Sequence, residues 1–206
     1  MVSPLTTSLD HLLVKDAPME LKNNLFRFFN YVRLQLPNQD PNIMFAASKT
    51  LGRIADLMGP AFADNLMDSE VQYAIKDLQS DKPQADKPET RHAGVLILKE
   101  IARRIGTAFY PHIPLVLDRL LVPLRDSRLI VREAAAELLG ICLDIIARRD
   151  KTMLSPFVIK ILQDAQAGVK APQPEIIHGS LLTYRELLLH GAMVSENRIF
   201  PVSYDR

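Results

Sequence analysis

His178 and Ser180, in the tripeptide HGS, come nearest to a base and nucleophile pair in this sequence. Residues two apart on a helix point away from each other, so on a helix these two cannot share a proton. The G-x-S-x-G turn that exposes a serine nucleophile does not occur in the chain. The single cysteine, Cys142, falls on an apolar stripe, where a thiol is ordinarily inert core. The histidines, His11, His92, His112, His178 and His190, form neither an H-E-x-x-H pair nor any other pair one helical turn apart, which removes the usual zinc hydrolase arrangement. His92 and His178 hold equivalent slots just inside two helices and are expected to pack or hydrogen-bond there. Asp64, Asp68 and Glu70 offer oxygens to a hard cation such as calcium. They lack the EF-hand spacing and its turn glycine, and acids at a helix start are accounted for by the macrodipole. There is no P-loop, no G-x-G-x-x-G, no kinase catalytic-loop His-Arg-Asp and no Asp-Phe-Gly. The sequence therefore contains no catalytic motif and implies no cofactor and no metal.

What remains is electrostatic. Arg103 with Arg104, and Arg148 with Arg149 and Lys151, cluster where helices are expected to end, and a cation there gains about 0.3–1 kcal/mol from the dipole. The same groups could serve as an edge for a phosphate or an acidic partner. Over the whole chain 25 Lys and Arg meet 24 Asp and Glu, for a formal net charge of +1, which argues against a dedicated nucleic-acid surface. With one cysteine no internal disulfide can form, so a reducing compartment, cytosol or nucleus, is expected. The first residues show no signal-peptide pattern, and no stretch reaches the roughly 20 apolar residues needed to cross a bilayer.

The elements that would position these groups are delimited by proline, which breaks a helix interior but suits its first turn. Between Pro37, Pro41, Pro60, Pro83, Pro88, Pro111, Pro114, Pro123, Pro156, Pro172 and Pro174 the segments are helix-sized. Within them apolar residues recur at three and four: Ala47, Leu51, Ile54, Met58; Gly94, Leu98, Ile101, Ile105; Val131, Ala135, Leu139, Cys142, Ile146; and, more weakly, Ser180, Tyr184, Leu187, Gly191. Aligning Leu51, Leu98, Leu139 and Tyr184 gives steps of 47, 41 and 45 residues. Such periods without strand pattern mark HEAT or armadillo arrays. Each of these B helices follows an amphipathic A segment, at about 20–36 (with Leu25, Phe29, Val32 and Leu36), 64–79, 111–124 and 154–167. The expected fold is all-α, an α-solenoid of about four HEAT-type hairpins. Their bounds are 20–58, 64–106, 111–149 and 154–191 within an array spanning 20–192.

Asp126 and Ser127 are placed to cap the third B helix, and its alanines Ala134 to Ala136 allow close helix approach. Arg132 sits in the slot where HEAT repeats often carry an arginine paired with an aspartate in the turn of an adjacent repeat. Arg91 holds that slot one repeat earlier, while Met44 and Ile177 hold it in the first and fourth. The stretches QSDKPQADKPET (79–90) and AQAGVKAPQPE (165–175) read as connections. Residues 1–19 read as an arm or an incomplete capping helix. The tail 193–206 reads as a docked end or, preferably, as a cut inside a longer array.

Four blocks, DPNIMFAASKTLGRIAD (40–56), RHAGVLILKEIA (91–102), VREAAAELLGICL (131–143) and IHGSLLTYRELL (177–188), resemble in order and spacing the N-terminal HEAT array of the target of rapamycin (TOR) kinases, a branch of the phosphatidylinositol-3-kinase-related family. The resemblance runs from about residue 20 to about 190. It implies a non-catalytic scaffold segment of a nutrient-responsive Ser/Thr protein kinase, cytoplasmic and recruited through partners to a vacuolar or lysosomal surface. It also implies contacts with a raptor-type subunit and, where one activates the kinase, with a Rheb-type GTPase, and oligomerisation only as part of that larger complex. Nucleic acid and membrane insertion are not expected. A stand-alone HEAT adaptor resembling a phosphatase scaffold or transport receptor is the alternative, and the four blocks favour TOR. Solenoid partners engage repeat edges and turns. The candidate protein-binding residues are therefore Asp81, Lys82, Asp86, Lys87 and Glu89 in the polar turn, and Arg103, Arg104, Arg148 and Arg149 at helix ends. Arg91, Arg132, Asp126, Leu51, Leu98 and Leu139 are assigned structural roles.

Overall fold

Asp40 shows how the helices begin. Its carboxylate accepts a hydrogen bond from the Asn42 backbone N–H at 2.8 Å, and Pro41 fills the first helical position, where no donor is needed. Helix α2 (Pro41–Met58) runs from there to Gly59, whose φ of 51° lets the chain turn at once into α3 (Pro60–Asn65). The computed structural model describes residues 19–79, 89–149 and 155–190. The other helices are α1 (Met19–Arg33), α4 (Met67–Leu78), α5 (Glu89–Ile105), α6 (Ile113–Arg119), α7 (Leu121–Leu124), α8 (Leu129–Arg149), α9 (Ser155–Gly168) and α10 (Pro174–Leu189), with a 3-10 segment over Gly106–His112. The fold class is all-α, with no strand among the described residues.

Two segments expected as single A helices are broken. The stretch 64–79 divides at Leu66 between α3 and α4. The stretch 111–124 starts as a 3-10 turn containing Pro111, continues as α6, and restarts after Leu120 as α7. Pro123 has no N–H to continue the ladder across that break. Conversely, AQAGVKAPQPE is less of a connection than expected, because α9 continues to Gly168 and only residues 169–173 turn. Ala165 is buried there and keeps the helix on its neighbours.

The chain forms two compact units that divide between Ala108 and Phe109. In the first, α5 packs on both α2 and α4, and α1 packs on α2. Its core includes Phe29, Leu51, Ile54, Phe62, Val71 and Leu98, with the Phe29 and Phe62 rings 5.4 Å apart in a tilted arrangement. In the second, α10 packs on α8 and α9, α7 packs on α8, and α9 reaches α6. Its core includes Phe109, Ile113, Val116, Leu139, Cys142 and Ile146. Within each unit one long B helix therefore lies on the next and each rests on its own A segment, the stacking of an α-solenoid. Small residues make the crossings. A Cβ on Gly52 would stand 3.0 Å from Glu100 Cβ of α5, and one on Gly140 would stand 2.4 Å from Glu186 Oε2 of α10.

Candidate interaction surface

The helix-end arginines are all engaged within the chain. Arg103 bonds Glu100 at 2.9 Å, and Arg104 reaches over Gly52 to Asp56 of α2 at 3.9 Å. Arg148 lies 4.0 Å from Asp144 one turn back, and the Arg149 guanidinium lies 5.0 Å from the centre of the Tyr110 ring. Of the polar-turn candidates, Asp81, Lys82, Asp86 and Lys87 lie outside the described residues, while Glu89 opens α5 in its first turn, where the dipole favours an acid. Residues 1–18 and 191–206 also lie outside them, and with these the tail, most of the arm and Gly191.

The seam between α2 and α5 carries side chains that sequence spacing did not single out. Phe45 is exposed on α2, with Lys49 Nζ 4.2 Å from its ring centre and Lys99 Nζ of α5 at 5.8 Å. The available signal was the i, i+4 pair Phe45 and Lys49 on the face of α2 opposite its apolar stripe. Lys99 gave none, because its partner is on another helix.

Arg132 was expected to meet an aspartate carboxylate. It instead donates through Nη1 to the backbone carbonyls of Asp126 (2.7 Å) and Ser127 (2.9 Å), and through Nε to His178 Nδ1 of α10 (3.1 Å). The Asp126 side chain accepts from the Arg128 backbone N–H at 2.9 Å and from Arg128 Nε at 3.2 Å. Asp126 thus orders the turn before α8, and Arg132 ties that turn to the next B helix. Arg91, in the equivalent slot, is half-buried in the first turn of α5. Ser180 donates to its own helix at Ile176 O, 2.8 Å away, so His178 and Ser180 serve separate structural bonds.

Farther along α8, His190 Nδ1 meets Asp144 at 2.8 Å and its Nε2 lies 3.9 Å from the buried Glu186, which Arg185 also contacts at 2.7 Å. Burial pushes the Cys142 thiol up to about 12, so the thiolate nucleophile is suppressed. Between α6–α7 and α9 a cleft of about 40 Å³ is lined by Leu121, Leu124, Phe157 and Ile161 beside the Lys160–Asp118 pair. Pockets that enclose small-molecule ligands are roughly 300–1,000 Å³. The described residues contain no trio of His, Cys, Asp or Glu arranged for a metal ion, and no helix among them is long and apolar enough to cross a membrane.

Helical pairs stacked in this way define an α-helical repeat protein of the solenoid class. No family model matches the chain. It is 35% identical over 164 residues to the serine/threonine-protein kinase tor1 of Schizosaccharomyces pombe, 35% over 173 residues to TOR2 of Saccharomyces cerevisiae and 37% over 165 residues to TOR of Arabidopsis thaliana, matches covering 80%, 82% and 79% of this chain. The chain is homologous to one region of the TOR serine/threonine-protein kinases, and spans 6–7% of the length of these relatives.

Proposed function

We propose that the chain is a protein-binding scaffold segment of a TOR-type kinase, the N-terminal HEAT array of a nutrient-responsive enzyme, with the hairpin bounds given above, and that it takes no part in phosphoryl transfer itself. The observation that carries this reading is the homology over about four-fifths of the chain to a small share of the TOR kinases. The fold supports it, because the side chains a kinase needs for phosphates and magnesium have no counterpart motif in the sequence. On this reading the segment contacts a raptor-type subunit and, where a Rheb-type GTPase activates the kinase, that GTPase. It works in the cytoplasm and reaches vacuolar or lysosomal membranes through such partners. The test is a calorimetric titration of the folded chain with the raptor-type subunit of the same organism. Saturable binding supports the assembly role, and its absence with a helical, monodisperse sample sinks it for that subunit.

A further inference from the structure

Four buried side-chain atoms among the described residues lack a hydrogen-bond partner: Nε of Arg33, Arg91 and Arg125, and Oε2 of Glu70. Three of these residues are engaged otherwise. Arg33 Nε faces Glu70 Oε2 at 3.4 Å, and Arg91 has another contact within the chain. The Arg125 side chain makes no hydrogen bond or ion pair with any described residue. It lines the cleft between α6–α7 and α9, and a buried donor left unmatched there is a cost that native folds rarely leave standing. The other charges around the cleft match one another. Lys160 lies 2.9 Å from Asp118 and Arg119 lies 3.2 Å from it, while the Asp164 charge acts on Lys160 as well. Two cations thus meet two acids, and the guanidinium of Arg125 is the charge left over. The backbone beside it is fixed, because the Leu124 carbonyl packs directly against Gly179 of α10.

We propose that this cleft receives a carboxylate side chain of a partner protein, with the acid seated on the Arg125 guanidinium. Its volume of about 40 Å³ exceeds the roughly 10–15 Å³ that one water needs and falls far short of the roughly 300–1,000 Å³ of a small-molecule pocket. That is the size of one side-chain end. The apolar walls Leu121, Phe157 and Ile161 suit the methylene stem of a glutamate. A guanidinium is the cation whose planar fork matches a carboxylate. A neutral amide would accept the same hydrogen bond but leave the charge unmatched. Since Arg125 need not be withdrawn from a partner inside the chain, the site is organised before the acid arrives, which lowers the cost of binding. This deepens the reading of the chain as a protein-binding segment and rests on it.

The test follows the side-chain Nε–H signals of the nitrogen-15-labelled full chain by NMR, with that of Arg125 assigned by its loss in Arg125→Met. The chain is titrated with a blocked peptide carrying one glutamate between leucines, with its glutamine twin, and with acetate and inorganic phosphate. The glutamate peptide is expected to move the Arg125 signal saturably. The glutamine twin, and the glutamate peptide on Arg125→Met followed through the Leu121 and Ile161 amides, are each expected to bind at least about tenfold more weakly, the scale of a central contact in a small interface. Arg125→Met keeps a linear stem and removes only a group without a partner, so its urea midpoint is expected at or above the parent's. A clear fall would make the guanidinium part of the fold and overturns the proposal. So does a glutamate peptide that leaves the Arg125 signal in place, that the twin equals, or that moves every arginine signal alike. Acetate or phosphate matching the peptide at equal concentration would show a site for small anions and overturns it too. If the peptide fails while the raptor-type subunit still binds the chain, only this site is wrong; if both fail, the scaffold reading falls with it.

Discussion

Asp77 lies near the end of α4, its Cβ 3.0 Å from where a Cβ on Gly94 of α5 would stand. Burial raises its carboxyl from 3.8 to about 6, with the Arg33 guanidinium offsetting part of the rise. Glu70, 3.4 Å from Arg33, is raised for the same reason in the same order. Across the window from 3.8 to about 6 the folded chain keeps a proton that the unfolded chain has released, so the stability from Asp77 falls as pH rises and is level above the window. Asp77→Asn keeps the shape without the charge. It is expected to be more stable than the parent at neutral pH by about 1 kcal/mol, after allowance for solvent screening of a half-exposed group. Urea midpoints above and below the window would show the difference vanishing at the acid side; a variant less stable at neutral pH would mean that the ionised carboxylate is a net stabilising group. Arg132 gives the opposite case. Removing it in Arg132→Ala strands the Asp126 and Ser127 carbonyls and His178 Nδ1, at an expected loss of about 2–3 kcal/mol. Arg132→Lys should rescue little of that, since an ammonium lacks the planar fork that reaches both sides. Equal urea midpoints for the Lys variant and the parent would show that charge alone suffices. The importance of Arg132 was legible from its slot, but its partners were not. His178 is 46 residues away, and only the stacking of α8 on α10 brings it into reach.

At the scale of the element, the B helices were legible because a 3.6-residue period is physically tied to burial of one face. Leu51, Leu98 and Leu139 are at most 1% exposed. The stripe on α8 was drawn too narrow, for Ala134, Ala136, Leu138, Leu143 and Ile145 are buried too. A helix packed on more than one side loses the amphipathic contrast by which a stripe is read. The break at Leu120 was not legible, since proline at 114 and 123 is compatible with either a helix start or a kink, and the break at Leu66 has no proline or glycine beside it to mark it. Glycines on the B helices have a meaning that only the packing reveals. A Cβ on Gly179 would stand 1.8 Å from the Leu124 carbonyl oxygen of α7, which is backbone and cannot rotate aside. Helix propensity alone would have Gly179→Ala stabilise by about 1 kcal/mol. Overpacking against a fixed carbonyl outweighs this, and a net loss of about 2–3 kcal/mol is expected. A melting temperature at or above the parent's would mean that α10 can move off α7 without cost.

For the molecule as a whole, two surface properties act together. The formal net charge is only +1, so long-range repulsion between copies is weak. Helix α10 adds an apolar outer face, with Leu181 54% and Leu188 68% exposed. In the register that aligns Leu139 with Tyr184, these two correspond to Ala136 and Leu143 of α8, which are buried. The α10 face is thus built like one that a neighbouring helix covers, and nothing among the described residues covers it. Apolar area of this kind on a nearly neutral chain favours self-association at high concentration. Replacing both leucines by lysine adds charge at largely exposed positions, where a lysine stem can keep the remaining contacts, and such surface changes alter folding stability by about 0.5 kcal/mol or less. Sedimentation velocity should therefore find the parent increasingly associated as concentration rises and Leu181→Lys with Leu188→Lys monomeric, at equal helix content. A parent that stays monomeric throughout would show that this face is too small to hold two copies together. A double variant that loses helix content would show instead that the leucines stabilise α10 through contacts within the chain.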